Sequence, residues 1–501
     1  MGTISRLSSI AIVGAGTGGI GALRALLELP EDIRTGWKID VFEQTASVGG
    51  IWVPQPNPPS PPELPTTPLY PALRTNTPHP TMTYPHFPFP PMTNLFPHHD
   101  ALQQYHDDYV EHFNMRPFIH FNTSVVNATY DQALHWDITV QRADGDTSHG
   151  HYDQLVVANG HNRYPYSPHW DGEDEWLRQG DGQRQILHSL WYREPEKYAG
   201  RFVIVVGDGA SGRDMAQQTV PLAGKVYHSY DNDTIKPIKL PPVPGTIVKP
   251  RISHFTENAI VFIDNTTLET PLNTTILLAT GYSLLVPWLT QLTVSPPDGV
   301  DDTTLNLTTN KRYIRPLYRH CLSLDPSIPP NALSFVGLPL WIANAPSDYA
   351  QGQLVAHTIA DPHWLPSREE LLADLEEQES GLQKQGIDPY RYGHAFTGEG
   401  ASEAYMNGLI DLLRNKSSIP LPDFLADKSK PYLEPWRRRN REQTWLTRRG
   451  WLRAEQLGIQ DSFIKGAETE DDWVHVLERI AEWERKQEEE HGPIEVVEEP
   501  L

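Results

Sequence analysis

The stretch SSIAIVGAGTGGIGALRALLELP, residues 8–30, constrains the fold of this 501-residue chain more than any other feature. A short apolar run ends at Val13. The glycine-rich Gly14-Ala15-Gly16-Thr17-Gly18-Gly19 follows, and Leu and Ala then recur at helical spacing. An apolar run of this length bounded by glycine reads as a buried strand, and the periodic segment after it as a helix. In this GxGxxG pattern Gly14 allows the tight turn, Gly16 lets a pyrophosphate approach the backbone, and Gly19 lets the helix pack close to the strand. The helix start then offers free N–H groups and partial positive charge to phosphates. A second strand, KIDVFEQ, ends in Glu43 and Gln44. That is close to the spacing of about 20 residues at which a carboxylate accepts hydrogen bonds from ribose hydroxyls.

The pattern returns in RFVIVVGDGASGRDMA, residues 201–216, with Gly207, Gly209, Ser211 and Gly212 again between a strand and a helix. Two such βαβ units imply two dinucleotides, a tightly held flavin and a nicotinamide that reduces it. Asp208 puts a charge inside the second loop, and it has to point away from a pyrophosphate for the loop to bind one.

Composition narrows the remaining classes. A net charge of -23 leaves no global attraction to nucleic acid or to anionic membranes, and solubility is its expected role. Cys321 is the sole cysteine, which excludes an intramolecular disulfide, a cysteine-rich metal site and a paired-thiol redox centre. No secretory signal and no apolar run of about 18 residues is seen, so a cytoplasmic location is expected and no membrane partner. The sequons at Asn122, Asn265 and Asn306 then read as chance.

Residues 53–97 are proline-rich, which disfavours helix and central strand. The interleaved Tyr70, Met82, Tyr84, Phe87, Phe89 and Phe96 favour a long ordered loop packed on the body over a disordered linker. The segments ALHWDITVQRADG and HYDQLVVANGH look like a β-meander returning to the first sheet. AIVFID and TTILLATGY are strand-like, and from about residue 365 the chain turns charged and helix-forming.

Several further segments carry a family resemblance. VGGIW at 48–52, with Gly50 and Trp52, resembles a GGxW signature that follows the ribose-binding acid. LRTNTPHPTMTYPHFPFP at 73–90, with Asn76 and Thr77, resembles a segment around an active-site asparagine. VVANGHNRYPYSP and LLATGY resemble two ATG-type links, and GDGASGRDMA a nicotinamide loop. His188, Tyr192 and Arg193 in ILHSLWYREP fit HxxxY(K/R). Over most of residues 8–375 the chain resembles the flavin-containing monooxygenases.

The resemblance implies an α/β fold of two Rossmann-like domains, the second inserted in the first, with a helical C-terminal extension. The expected segments are an FAD domain over 1–170, resumed over 280–375, an NAD(P)H domain over 171–279, and helices over 376–501 that cover the FAD domain or make a homodimer contact. FAD and NADPH are the implied cofactors. Gly14, Gly16, Gly19, Glu43 and Gln44 are expected at the nucleotides, with Gly50, Trp52, Asn76, Thr77 and Val125. Gly207, Gly209, Ser211, Gly212 and Ser229 complete the set. The implied reaction moves one oxygen atom of O2 to a nucleophilic nitrogen or sulfur through a C4a-hydroperoxyflavin, on a small-molecule or peptide substrate. Asn76 is the expected catalytic residue, an uncharged amide that both donates and accepts beside the flavin–oxygen adduct. Baeyer–Villiger oxygenation of a ketone is an alternative, and so is a non-catalytic, nucleotide-responsive flavoprotein. A role in secondary metabolism fits the long tail.

The chain departs from the family pattern in places. Gly182 and Arg184 stand where Phe and Gly precede the histidine of the fingerprint. Ser229-Tyr230-Asp231 replaces the Ser-x-Arg that pairs with the NADPH 2′-phosphate, which leaves NADH open unless Lys236 or Lys239 folds back. His188 is a functional or an inter-domain contact. His98-His99 has no third ligand at metal spacing. The basic, aromatic stretch 436–453 reads as salt-bridged packing ahead of a nucleic-acid patch. Trp341 and Asn344 line the substrate pocket or pack in the core.

Overall fold

The computed structural model describes residues 8–131, 133–231, 240–295 and 305–492. The first apolar run forms β1 (Ser9–Val13), and the glycine turn leads into α1 (Thr17–Leu27). The chain returns as β2 (Lys38–Phe42), parallel to β1 from Ser9↔Lys38 to Val13↔Phe42. On its other side β1 pairs in parallel with β3 (Gln154–Val157). These strands are nearly all apolar because layers of helix and loop cover both faces of the sheet. Seven strands make up the sheet, with Leu333–Phe335 next to β3 and Ile119–His120 at the far edge.

Between β3 and Leu333–Phe335, neighbours in space, the chain builds a second sheet of five parallel strands. At its centre β4 (Phe202–Val206) lies between β5 (Lys225–Ser229) and β6 (Thr274–Leu278). The helix after β4 covers Ala210–Thr219. Thr123–Tyr130, Trp136–Arg142 and Thr147–Tyr152 form the antiparallel meander that leads back into β3.

The proline-rich loop is packed onto the body. Tyr70, Tyr84, Phe89 and Phe96 are buried in it. Proline removes N–H donors, so side-chain hydroxyls satisfy the buried backbone instead. The Tyr84 hydroxyl donates to the Thr17 carbonyl (2.6 Å), and the Tyr105 hydroxyl donates to the Phe87 carbonyl (2.7 Å).

Helix α2 (Asn344–Ala360) lies on α1, where a β-carbon at Gly352 would come within 2.9 Å of the Ala22 Cα. Helix α3 (Ala401–Lys416) adds Met406, Leu409, Ile410 and Leu413 to the core beneath the first sheet. Helices α4 (Pro435–Gln456) and α5 (Glu470–His491) form a hairpin, and Trp436, Trp451 and Trp473 join Leu95 and Phe96 of the proline-rich loop in one cluster. The basic stretch on α4 is spent on internal pairs: Arg441 with Glu403 at 3.3 Å, and Arg453 with the fully buried Glu484 at 2.8 Å. Among the described residues no helix is long and apolar enough to cross a membrane.

Candidate functional site

The two glycine loops have the same geometry. Gly14 has φ +102° and its N–H donates to the Phe42 carbonyl (2.8 Å). A β-carbon on it would sit 2.4 Å from the Ala158 carbonyl oxygen. Gly207 has φ +106° and its N–H donates to the Ser229 carbonyl (2.8 Å). A β-carbon there would sit 2.4 Å from the Ala279 carbonyl oxygen. Further on, a β-carbon at Gly19 would be 1.8 Å from the Gly14 oxygen, and one at Gly212 would be 2.0 Å from the Gly207 oxygen. Glycine is required at these places by handedness and by close approach. Gly16 and Gly209 each precede the helix in extended conformation (φ -75° and -80°), so each loop presents bare amides at a helix start.

The first loop opens on a cavity of about 470 Å³. Gly14, Gly16, Glu43, Gln44, Gly50, Trp52 and Val125 line it. Gly19 stands behind the wall and sets the distance between helix and strand. Glu43 is buried and rigidly held: one carboxylate oxygen accepts from the Ala15 N–H (2.8 Å), the other from the Thr45 N–H and hydroxyl (2.8 Å each). A carboxylate has about four acceptor positions, so three bonds leave capacity for a ligand hydroxyl. A β-carbon on Gly50 would lie 3.1 Å from the Gly16 Cα, so the two bare backbones pack closely together at the cavity wall. A wall of bare backbone, a helix start and a fixed acid suit a dinucleotide.

Asn76 and Thr77 are not among the cavity-lining residues. Asn76 is exposed, on a loop held by α4. Arg448 donates to the Thr75 carbonyl (2.9 Å), Arg437 to the Pro80 carbonyl (2.9 Å), and Arg74 pairs with Glu455 (2.8 Å). Asn344 lines the cavity, whereas Trp341 is partly exposed with φ +58°. Asp348 and Arg163 also line the cavity and carry no local sequence signal. Arg163 donates to the Gln44 side-chain oxygen.

At the second loop Asp208 is paired with Arg213 (2.8 Å), which partly neutralises its charge. Ser211 is exposed in the first turn of its helix. Ser229 is fully buried and its hydroxyl donates to the Pro250 carbonyl (2.7 Å), so its carbonyl, through Gly207, is what shapes the loop. By register, Tyr230 occupies the place that Glu43 holds in the first unit. Asp231 follows, with Arg391 at 3.6 Å and Arg251 at 3.9 Å. Lys236 and Lys239 lie outside the described residues.

The HxxxYR segment joins the second sheet to the proline-rich loop. The His188 Nδ1 accepts from the Leu190 N–H (3.1 Å), so its Nε2–H donates to the Gly281 carbonyl (3.0 Å). Burial pushes this imidazole down to about 4. Arg193 reaches the Thr67 carbonyl (3.0 Å) of the proline-rich loop. Arg184 ties down the carbonyls of Trp176, Glu257 and Thr270 (3.0, 2.7 and 3.0 Å). His98 accepts from Arg74 (3.0 Å), and no metal-binding cluster is found among the described residues.

A family model described as FMO-like, flavin-binding monooxygenase-like, matches residues 8–235. The Arabidopsis thaliana protein named flavin-containing monooxygenase FMO GS-OX-like 7 is 31% identical over 423 residues, which is 80% of this chain and 83% of that protein. The chain belongs to the flavin-containing monooxygenase family. A second Arabidopsis thaliana relative, named flavin-containing monooxygenase FMO GS-OX-like 2, is 29% identical over 452 residues, 85% of this chain and 86% of its own length. The solved structure of S-allyl-L-cysteine S-oxygenase from Allium sativum shares the fold, with a TM-score of 0.71, 24% identity and coverage of 96% of this chain and 99% of that one. As a flavin-containing monooxygenase the chain is an oxidoreductase that takes a flavin and acts with O2 on a small molecule. Its fold of two dinucleotide domains with a helical C-terminal region is that of its structural neighbours.

Proposed function

We propose that this flavin-containing monooxygenase uses FAD and NADPH to oxygenate a small nucleophile, sulfur in the first instance and nitrogen in the second. The observation that carries the reading is the pair of duplicated glycine cradles on two sheets, the first opening on the cavity of about 470 Å³. The printed activity of the Allium sativum neighbour, S-oxygenation of S-allyl-L-cysteine, supports the choice of sulfur.

FAD sits in the first cradle, in a domain of residues 1–170 and 280–375, and the nicotinamide in the second, in residues 171–279. When bound, the flavin supplies hydride acceptance and oxygen activation. The amides at the start of α1 hold its pyrophosphate, and the fixed carboxylate of Glu43 accepts from ribose hydroxyls. We propose Asn76 as the amide that donates and accepts without charge at the reacting centre, although it does not line the first cavity. Arg437 and Arg448 hold the carbonyls of Pro80 and Thr75 on either side of it. At the second cradle, Arg251 and Arg391 outweigh the single charge of Asp231, which supports recognition of a 2′-phosphate.

The test is direct. The purified protein is expected to be yellow and to release FAD on denaturation. NADPH oxidation should accelerate with a thioether and yield the sulfoxide, read as a one-oxygen mass gain. NADPH oxidation that yields only hydrogen peroxide with thioethers, amines and ketones alike would refute the proposal.

A further inference from the structure

The cavity wall contains an acid that nothing above uses. Asp348 lies on α2, four residues after Asn344, and lines the cavity together with Gly18 and Gly337. It is only 4% exposed. Its two carboxyl oxygens would stand 3.6 and 3.7 Å from a β-carbon at Gly337, so the carboxyl lies in van der Waals reach of that backbone turn. On the other side α1 holds the acid in place, since a β-carbon at Gly21 would come within 3.4 Å of the Asp348 carbonyl oxygen.

Among the described residues none donates a hydrogen bond to this carboxyl and no cation stands against it. Burial alone sets its acidity and pushes it well above the usual carboxylate range. The titratable groups facing it are Tyr84, Cys321 and Tyr405, all kept protonated by burial. The Tyr84 hydroxyl is committed to the Thr17 carbonyl and the Tyr405 hydroxyl to the Arg319 carbonyl (2.8 Å), so neither proton is aimed at Asp348. An ionised Asp348 would be an uncompensated buried charge, on a wall that also carries the phosphate-facing loop.

We infer that Asp348 is a neutral carboxylic acid that donates a hydrogen bond to an oxygen of the bound flavin nucleotide, and so positions that nucleotide between α1 and α2. This rests on the flavin occupying the first cradle. Asp348 acts as a donor, as an asparagine amide would, and ionisation of the acid converts the contact into a repulsion.

Flavin retention as a function of pH tests this. Holoenzyme is washed by repeated ultrafiltration from about pH 7 to about pH 10, and the FAD retained is read by absorbance. The wild type is expected to hold FAD at the neutral end and to lose it progressively toward the alkaline end. Asp348→Asn, which donates and cannot ionise, is expected to hold FAD throughout. Asp348→Ala is expected to bind about tenfold more weakly than the wild type at neutral pH, with an affinity that does not change toward alkaline pH. Circular dichroism establishes that each variant is folded. A protonated-carboxyl infrared band, present in the wild type and missing in Asp348→Asn, reads the proton directly. Should that variant not fold, the band in the wild type decides: its presence sustains the inference and its absence overturns it. Loss of FAD from folded Asp348→Asn at neutral pH would show an accepting carboxylate and overturn the inference. A flat wild-type profile matching Asp348→Asn would overturn it too. A wild type that takes no FAD at any pH would instead refute the flavin assignment, an outcome distinct from a yellow protein with a flat profile.

Discussion

Replacing Gly14 by alanine, and separately Gly207 by alanine, separates the two cradles. Both glycines have φ near +100°, which costs a residue with a β-carbon about 1–3 kcal/mol. In each case the new carbon would also land 2.4 Å from a backbone carbonyl oxygen of the neighbouring strand's end, that of Ala158 or that of Ala279. A backbone atom cannot swing aside as a side chain can, so the loop itself must shift off its amide geometry. Adding roughly 1–2 kcal/mol for that displacement gives about 3 kcal/mol, or roughly 100-fold in the affinity of the nucleotide held by that loop. Gly14→Ala is expected to lose flavin on gel filtration, measured as the ratio of flavin to protein absorbance, and to need about 100-fold more FAD for reconstitution. Gly207→Ala is expected to keep its flavin and to show the loss in the dependence of flavin reduction on NADPH concentration, followed by stopped flow. Thermal denaturation of both variants controls for global damage. If Gly14→Ala keeps FAD at wild-type affinity, or if both variants show the same pair of defects, the assignment of one nucleotide to each cradle is wrong.

Three further outcomes are expected. Burial between Phe89 and Trp473 pushes His79 down to about 3, below its unfolded value of about 6.5. Its contribution to stability is therefore complete above about pH 6.5 and is lost as pH falls toward 3, reaching about 2 kcal/mol at pH 5. His79→Phe should narrow the gap in melting temperature between pH 7.5 and pH 5. Removing the Arg448 guanidinium in Arg448→Ala frees the Thr75 carbonyl. Flavin content should be kept while the share of NADPH consumption ending as hydrogen peroxide rises, and an unchanged share would remove α4 from the site. Arg391→Ala removes one of the arginines beside Asp231, and should raise the KM for NADPH about fivefold while sparing NADH. Equal effects on the two nucleotides would mean that this arginine does not face the 2′-phosphate.

Much of the site was legible because its decisive contacts are short in sequence. The glycines at 14, 16 and 19 and those at 207, 209 and 212 each fall within a single turn. Glu43 is legible because β2 must return beside β1 and end next to the loop. The proline-rich loop could be taken as ordered because its aromatic residues needed somewhere to be buried. The second ribose position was harder: the sequence shows Asp231, but its charge is answered by Arg391, 160 positions further on, an arrangement no local pattern announces.

What the sequence by itself determined is the pair of nucleotide-binding turns, since strand, tight turn and helix start are set by backbone sterics among neighbouring residues. The tertiary structure alone decided what stands around those turns. Arg448 meets the Thr75 carbonyl across 373 positions, and Asp348 reaches the cavity only because α2 packs on α1 through Gly21 and Gly352. Such contacts come from the burial of whole helix faces, which many residues contribute to and no single residue encodes.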